Sequence, residues 1–401
     1  MHAKDIEIRE IDDRVELSAL VEFETIDPGS KRFWFRLPAD LATPDRFGDT
    51  LLAALLVPAM SLGERLRIDA PVSRPVLAAA TEVLTPVLRR WKWDQKKIAI
   101  ECDVEDWIAS TTKPRSHGAF FSGGVDSWYS VLKHRASLDH LVFVRGIEIS
   151  NRESPQWTAA LELNRESATI LGKELIVVET NIHDIALREV PRRAEVLGQR
   201  YYSYSIQRYS GCMLASIAFL LQRTLGRATI ASTFAFERLD PEGSHFLLEP
   251  AWSSDVLRFD LDGGEAGRPE KIEAIARWMP GALARLRVCF SRDRIALNCG
   301  ECDKCLRTLL SMRATGTLNL ATSFAQPPNL RKMRIALTHA YVWSEVRDAA
   351  ARNGDDQLTR AIERELVFAK CRAFMDRMVS PVYHLYRETR RLLRPIRAAL
   401  R

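Results

Sequence analysis

Apolar and polar residues alternate with period two along Arg14–Phe23, the pattern of a half-buried strand. Lys31–Leu37 pairs with it in this reading, across a turn at Asp27-Pro28-Gly29. Apolar positions recur at helical spacing from about Asp45 to Leu62 and from about Val76 to Trp91. Lys97–Val104 reads as a third strand. From residue 113 the pattern becomes strand, loop, helix, repeated. Strands are expected at Gly118–Phe121, Asp139–Gly146, Glu174–Thr180 and Ala228–Ser232. Helices are expected at Trp128–His134, Thr158–Leu171 and Ser210–Thr224. Such alternation implies a parallel sheet covered on both faces. Right-handed crossovers then give a doubly wound fold whose ligands lie at the carboxyl ends of the strands. Beyond about residue 320 the pattern is helical, over Asn329–Asn353, Gln357–Met378 and Pro381–Leu400. The prediction is an α/β protein with a doubly wound, parallel-sheet domain over 113–320. An accessory α/β or α+β domain precedes it over 1–112, and a helical region follows over 321–401.

Composition changes this picture little. With 401 residues, two or three domains are expected, at roughly 100–200 residues each. The content is 46% hydrophobic and 27% charged, as in ordinary globular proteins. The longest apolar run, Leu51–Met60, is half of the about twenty residues a membrane crossing needs. No apolar leader follows Met1, so a cytoplasmic protein is expected. The net charge of +6 is unevenly spread. Arg387, Arg390, Arg391, Arg394, Arg397 and Arg401 are opposed only by Glu388 in the last fifteen residues. This basic tail reads as a solvated helix face, with tRNA contact or peripheral attachment to an anionic membrane as functional alternatives.

Four of the seven cysteines fall in the pattern Cys289-x9-Cys299-x2-Cys302-x2-Cys305. In a reducing compartment such a cluster points to metal rather than disulfides. Four thiolates suit a tetrahedral, structural Zn²⁺. The C-x2-C-x2-C run alone would also serve an iron–sulfur cluster. The cysteine ten positions upstream favours a loop folded back over one zinc ion. Lys304 and Arg307 are expected to offset the charge of that centre, with Asn298 and Gly300 at its tight turn. Cys102, Cys212 and Cys371 are isolated and read as buried small apolar side chains.

Between the first strand and helix of the central region stands Ser122-Gly123-Gly124-Val125-Asp126-Ser127. Glycines let a backbone approach an anion and aim N–H groups at it, and the following helix adds the positive end of its dipole. Ser122 and Ser127 supply hydroxyl donors. Asp126 repels phosphate unless it holds Mg²⁺ or orients the loop. The segment lacks the Lys-Ser/Thr ending of a Walker A loop and the G-x-G-x-x-G spacing of a dinucleotide fold. It resembles instead the PP-loop signature of the N-type ATP pyrophosphatases. These include GMP synthetase, asparagine synthetase, tRNA thiolation enzymes and 7-cyano-7-deazaguanine synthase. The cysteine loop is similar in order and spacing to that of the deazaguanine synthase branch. The resemblance covers about residues 117–315. Position 125 is Val where that synthase usually has Gln, and the flanking regions are additional.

The resemblance implies a HUP-type, adenine nucleotide alpha hydrolase-like domain that cleaves ATP between the α and β phosphates. Ser122, Gly123, Gly124, Val125, Asp126 and Ser127 would cradle the β and γ phosphates. Gly146 and Ile147, at the end of the second strand of the domain, would lie beside adenine. Lys271, at a helix start with Pro269 near its first turn, would meet the phosphates, with Arg268 second; a solvated helix-start charge is the plainer alternative. Asp126, Ser127 and Lys271 are thus the catalytic candidates, and ATP, Mg²⁺ and Zn²⁺ the cofactors. Thr180–Asp184, Ser232–Thr233 and Ser253–Asp255 are further loop candidates, His183 and Asp184 for proton chemistry or Asn181 and Asp184 as caps.

The implied reaction is adenylation of a carbonyl or carboxylate in a small-molecule substrate. Pyrophosphate leaves, a nitrogen nucleophile attacks and AMP leaves, as in an AMP-forming C–N ligase. Alternatives are tRNA thiolation or modification, modification of a partner protein, and a non-catalytic ATP-sensing zinc scaffold.

Overall fold

The structure, a computed structural model, describes residues 1–24, 28–91, 95–106, 115–147, 149, 154–196, 206–289, 297–336 and 340–375. Among these residues the strands are β1 His2–Ile11, β2 Arg14–Phe23, β3 Gly29–Pro38, β4 Leu66–Ile68, β5 Val72–Ser73 and β6 Ile100–Glu101. They continue with β7 Val104–Glu105, β8 Ser116–Phe120, β9 His140–Arg145, β10 Glu174–Thr180, β11 Leu225–Ala231 and β12 Arg258–Asp262. Ten of them form one sheet in the order β12-β11-β8-β9-β10-β3-β2-β1-β4-β6, and β5 pairs with β7 apart from it.

From β12 to β10 all neighbours are parallel. β3 joins β10 antiparallel, β2 and β1 follow antiparallel, and β4 and β6 add in parallel. The chain runs from β8 outward through β9 to β10, then returns to the other side of β8 with β11 and β12. This reversal is the switch point at which open α/β sheets form a crevice. The loops after β8 and β11 border it.

Alternation along the central strands sends neighbouring side chains to opposite faces. Ala119, Phe121 and Leu141 pack with Val125, Trp128, Ile272 and Ile275 from the helices Val125–Lys133 and Arg268–Trp278. Phe120, Val142 and Ile230 pack on the other face with the helices Phe47–Leu62 and Ile206–Leu220. Every residue of Phe47–Leu62 is buried, so the N-terminal region supplies cover for the parallel strands as well as an extension of their sheet. Residues 1–112 and 113–320 therefore share a sheet and a core. Helix Ala340–Arg352 packs on Asp303–Ala314 through Trp343, Val346, Leu306 and Leu310. None of the described helices is long and apolar enough to cross a membrane.

The differences from the pattern-based expectation have local causes. β1 carries Lys4, Glu7, Arg9 and Glu10 and is broken by a bulge between Lys4 and Glu7, so no clean alternation marks it. β12, at the sheet's edge, has only two apolar residues in Arg-Phe-Asp-Leu-Asp. Lys97–Val104 does not make one strand, because the chain passes there from β4 to β5 and leaves two-residue pieces on each. The expected helix at Asn329–Asn353 is a 3₁₀ turn at Leu330–Lys332 followed by the helix Ala340–Arg352. A last helix spans 356–375. The Pro381–Leu400 helix and the arginine tail lie outside the described residues, as do Asp27 and Glu148.

The junction of β10 and β3 depends on two polar residues. Thr180 Oγ1 donates to Trp34 O at 2.9 Å. Asn181 Oδ1 accepts Trp34 N–H at 2.9 Å, and Asn181 Nδ2 donates to Arg32 O at 2.8 Å. Asn181 thus prolongs the ladder past the end of β10 rather than capping a helix. Asn181→Ala is expected to cost about 1–3 kcal/mol by unpairing these backbone groups. A lower urea midpoint at an unchanged denaturant slope is the expected reading; an unchanged midpoint would show that the two strand sets do not depend on this side chain.

Candidate anion site and metal centre

β8 stops where Gly123 turns the chain with a φ of +77°, a left-handed conformation natural to glycine. Gly124 follows in extended backbone as the cap of helix Val125–Lys133. The loop's carbonyls are all engaged. Arg287 Nε donates to Ser122 O at 3.1 Å, and Arg287 N–H to Gly123 O at 2.8 Å. Gly124 O accepts Ser127 Oγ at 3.0 Å and the first helical N–H, that of Trp128, at 3.0 Å. The N–H groups of the first helical turn have no partner within the helix, which gives this end its affinity for anions.

Asp126 lies in that first turn and accepts from two cations. Arg268 Nη2 reaches its Oδ2 at 2.9 Å, and Lys271 Nζ its Oδ1 at 3.1 Å. Lys271 is 0% exposed, so it is not a solvated helix-start charge. It also donates to Ser232 O at 2.6 Å, at the end of β11. Ser232 is held by its own N–H on Asp262 O and its hydroxyl on Phe234 O. The ends of β8, β11 and β12 thus converge on one lysine. Burial pushes the Asp126 carboxyl up, but Arg268 and Lys271 outweigh it and hold the carboxyl below the ordinary carboxylate value.

More positive charge surrounds Asp126. Lys304 acts on it electrostatically. Arg307 is 8% exposed, and burial together with nearby Arg268 lowers its guanidinium to about 10, so it stays a cation at neutral pH. Acid groups nearby are Asp303 beside Arg307, and Glu345, which accepts Arg268 N–H at 3.3 Å and whose carboxyl is pushed up by burial. Among the described residues, Arg268 Nη1 and Arg307 Nε are buried without a hydrogen-bond partner. An anion is one partner that could satisfy such donors.

The other sequence candidates divide. Gly146 has φ +100°, and a Cβ there would stand 1.8 Å from Thr180 O, so close packing of β9 against β10 demands the glycine. Ile147 follows it, buried, at the same carboxyl edge. Ser253 Oγ accepts Phe259 N–H, and Ser254 Oγ accepts from Val256 and Leu257, so both serine side chains shape the turn into β12. Asp184 pairs on the surface with Arg188. Thr233 is exposed and His183 half-buried. Sequence patterns missed Arg287 and Glu345, and set Arg307 against the thiolates rather than against Arg268 and Asp126. The readable signal for Arg307 was its spacing of three from Lys304, which puts both on one helix face.

The four cluster sulfurs all lie within 4.8 Å of one another. Cys289 and Cys302 are 3.8 Å apart, and Cys299 and Cys305 3.9 Å. Tetrahedral zinc with Zn–S of about 2.3 Å sets its sulfurs about 3.8 Å apart, so the donor set fits it. The N–H groups of Glu301 and Cys302 point at Cys299 Sγ from 3.4 and 3.3 Å. Gly300, at φ +75°, makes this approach; a Cβ there would stand 2.4 Å from Gln326 O. Of the isolated cysteines Cys212 is buried as expected, whereas Cys102 is half-buried and Cys371 exposed on the last helix.

Two measurements follow. Metal analysis is expected to return about one zinc per chain, and none for Cys305→Ser; iron with visible colour would refute the zinc assignment. The second concerns Asp126. Its depressed carboxyl contributes stability above the unfolded-chain pKa of about 3.9 and loses it as pH falls through the folded value. Asp126→Asn is expected to cost about 3–5 kcal/mol at neutral pH, because Lys271 stays buried and loses its counter-charge. The difference from wild type should shrink as pH falls below about 4, as read from urea midpoints; a pH-independent difference would overturn the assignment.

Comparison of the chain with family models, curated proteins and solved structures finds no significant match.

Proposed function

We propose that Ser122–Ser127 binds the phosphates of ATP and that the protein is an AMP-forming ligase of the PP-loop, HUP-type kind. One observation carries this reading: a glycine loop at the sheet's switch point is ringed by buried cations that outnumber its carboxylate. Arg268, Lys271 and Arg307 surround Asp126, and buried donors of both arginines are unsatisfied. A polyphosphate, whose paired oxygens can accept from a guanidinium fork, satisfies such donors. The resemblance of the loop and the cysteine pattern to the deazaguanine synthase branch supports ATP over other polyanions.

Here the N–H groups of the first helical turn and the Arg268 guanidinium meet the phosphate oxygens. Lys271, fixed by Asp126 and Ser232 O, keeps the site positive without being able to swing out. A carbonyl or carboxylate oxygen of the substrate attacks the α-phosphorus, and the bond to the β-phosphate oxygen breaks. The charge that develops on the leaving pyrophosphate falls among donors already in place. A nitrogen nucleophile then displaces AMP from the adenylated carbon. Both Asp126 oxygens are engaged by cations, so the residues present do not form a magnesium site of their own. Magnesium fits this reading as part of the nucleotide substrate, held by its phosphates. The four-thiolate centre has no open position and serves structure.

The experiment is product analysis with ATP, ammonium and pooled carboxylate metabolites. Equal amounts of pyrophosphate and AMP are expected. Lys271→Ala should cut turnover by at least about 100-fold. ADP with inorganic phosphate would overturn the chemistry, and tight ATP binding without any turnover would leave a nucleotide sensor instead.

A further inference from the structure

We infer that the cysteine cluster and the glycine loop form one mechanical unit, in which Arg287 is a positioning residue and metal occupancy sets the loop's affinity for pyrophosphate. The inference rests on the anion-binding reading of Ser122–Ser127. Arg287 stands two positions before Cys289 and is 5% exposed. Its backbone N–H and its Nε take the carbonyls of Gly123 and Ser122 at 2.8 and 3.1 Å. These bonds hold the two carbonyls off the ligand side of the loop and thereby orient its N–H groups.

The strap is clamped from below. Asn298, 0% exposed, accepts Val288 N–H on Oδ1 at 2.7 Å and donates Nδ2 to Leu286 O at 2.6 Å. It grips the residues on either side of Arg287 and is itself adjacent to Cys299. Cys289 and Cys299 therefore bracket the clamp, and a metal bound to both closes it into a ring. The other two ligands, Cys302 and Cys305, fix the start of helix Asp303–Ala314, which carries Lys304 and Arg307 toward Asp126. One ion would thus set both the floor of the loop and one cationic wall. Without it, the sulfur pairs 3.8–3.9 Å apart are joined by thiol hydrogen bonds, far weaker than thiolate–metal bonds, and any that ionise repel one another.

The test is calorimetric titration of inorganic pyrophosphate into the full chain. Zinc-loaded wild type is compared with chelator-stripped protein, stripped protein given one equivalent of zinc, and zinc-loaded Arg287→Ala and Arg287→Lys. Circular dichroism, melting temperature and zinc content are recorded for each. Stripping is expected to weaken binding by tenfold or more, and zinc to restore it. Arg287→Ala is expected to keep its zinc and remain folded, with a modestly lower melting temperature, yet bind about tenfold more weakly, with partial rescue by Arg287→Lys. If stripping unfolds the chain, Arg287→Ala alone decides, because it retains the metal. Equal affinity of stripped and loaded protein, or wild-type affinity in Arg287→Ala, sinks the coupling and leaves the anion site standing. No pyrophosphate binding by loaded wild type sinks both.

Discussion

An ammonium group buried to 0% exposure constrains everything around it, and Lys271 is such a group. An isolated charge in a protein interior loses several kcal/mol of hydration, so it stays charged only with a counter-charge and good hydrogen bonds. Asp126 and Ser232 O supply them. The first helix after β8, the helix Arg268–Trp278 and the end of β11 are tied together as a result. Yet neutralisation stops short. Arg268 and Arg307 are buried in the same place, each with a donor unspent, although Glu345 and Asp303 stand near them. Apolar residues of similar size would serve a core better. Such an arrangement of cations is what the proposed anion site would require.

The topology explains why this happens here. Strand order reverses between β8 and β11, the position at which open α/β sheets generally form a ligand crevice. The glycine loop and Ser232 stand on its two sides. The flanking regions act on this crevice from opposite directions. The N-terminal region adds a fully buried helix to the core on the far face of the sheet, where it packs on the helix Ile206–Leu220, and prolongs the sheet beyond β10. The C-terminal helix Ala340–Arg352 reaches the crevice directly, because Glu345 accepts the first N–H of the lysine-bearing helix. Both additions are therefore built into the frame that holds the site.

What could be read from sequence was what local pattern encodes. β2 and β10 match their expected spans because β2 alternates roughly with period two and β10 is a short apolar run, and the glycine loop and the cysteine spacing stand out as strings. β1 escaped because a bulge between Lys4 and Glu7 breaks its register and Ile8 and Ile11 face out, and β12 because it has only two apolar residues. The partners of the site escaped for another reason. Lys271 was legible as a helix-start lysine, but its complete burial depends on Asp126 and Ser232, at positions far away in the chain. Arg287 looks like one more arginine before a cysteine; only the fold brings its N–H to Gly123.

Val125 shows how far the site departs from the family its loop resembles. Deazaguanine synthases usually carry Gln at that position, and a change beside the phosphates invites a functional reading. Here the Val125 side chain is 1% exposed and packs in the cluster of Phe121 and Trp128, on the sheet side of its helix. Under the proposed reading a phosphate would meet the backbone of residue 125 and not its side chain. A buried amide there would need partners that this apolar cluster does not offer. The valine thus answers to the core. Other groups stand near the loop: Arg307 and, from the C-terminal helix, Glu345 on the Arg268 N–H and Tyr341, whose ring lies 5.4 Å from that of Phe234, whose carbonyl accepts the Ser232 hydroxyl. Under the proposed reading these, and not residue 125, would distinguish this chain's substrate from a deazaguanine. Substrate choice in this fold would then be set by what is appended to the phosphate loop, while the loop itself is kept.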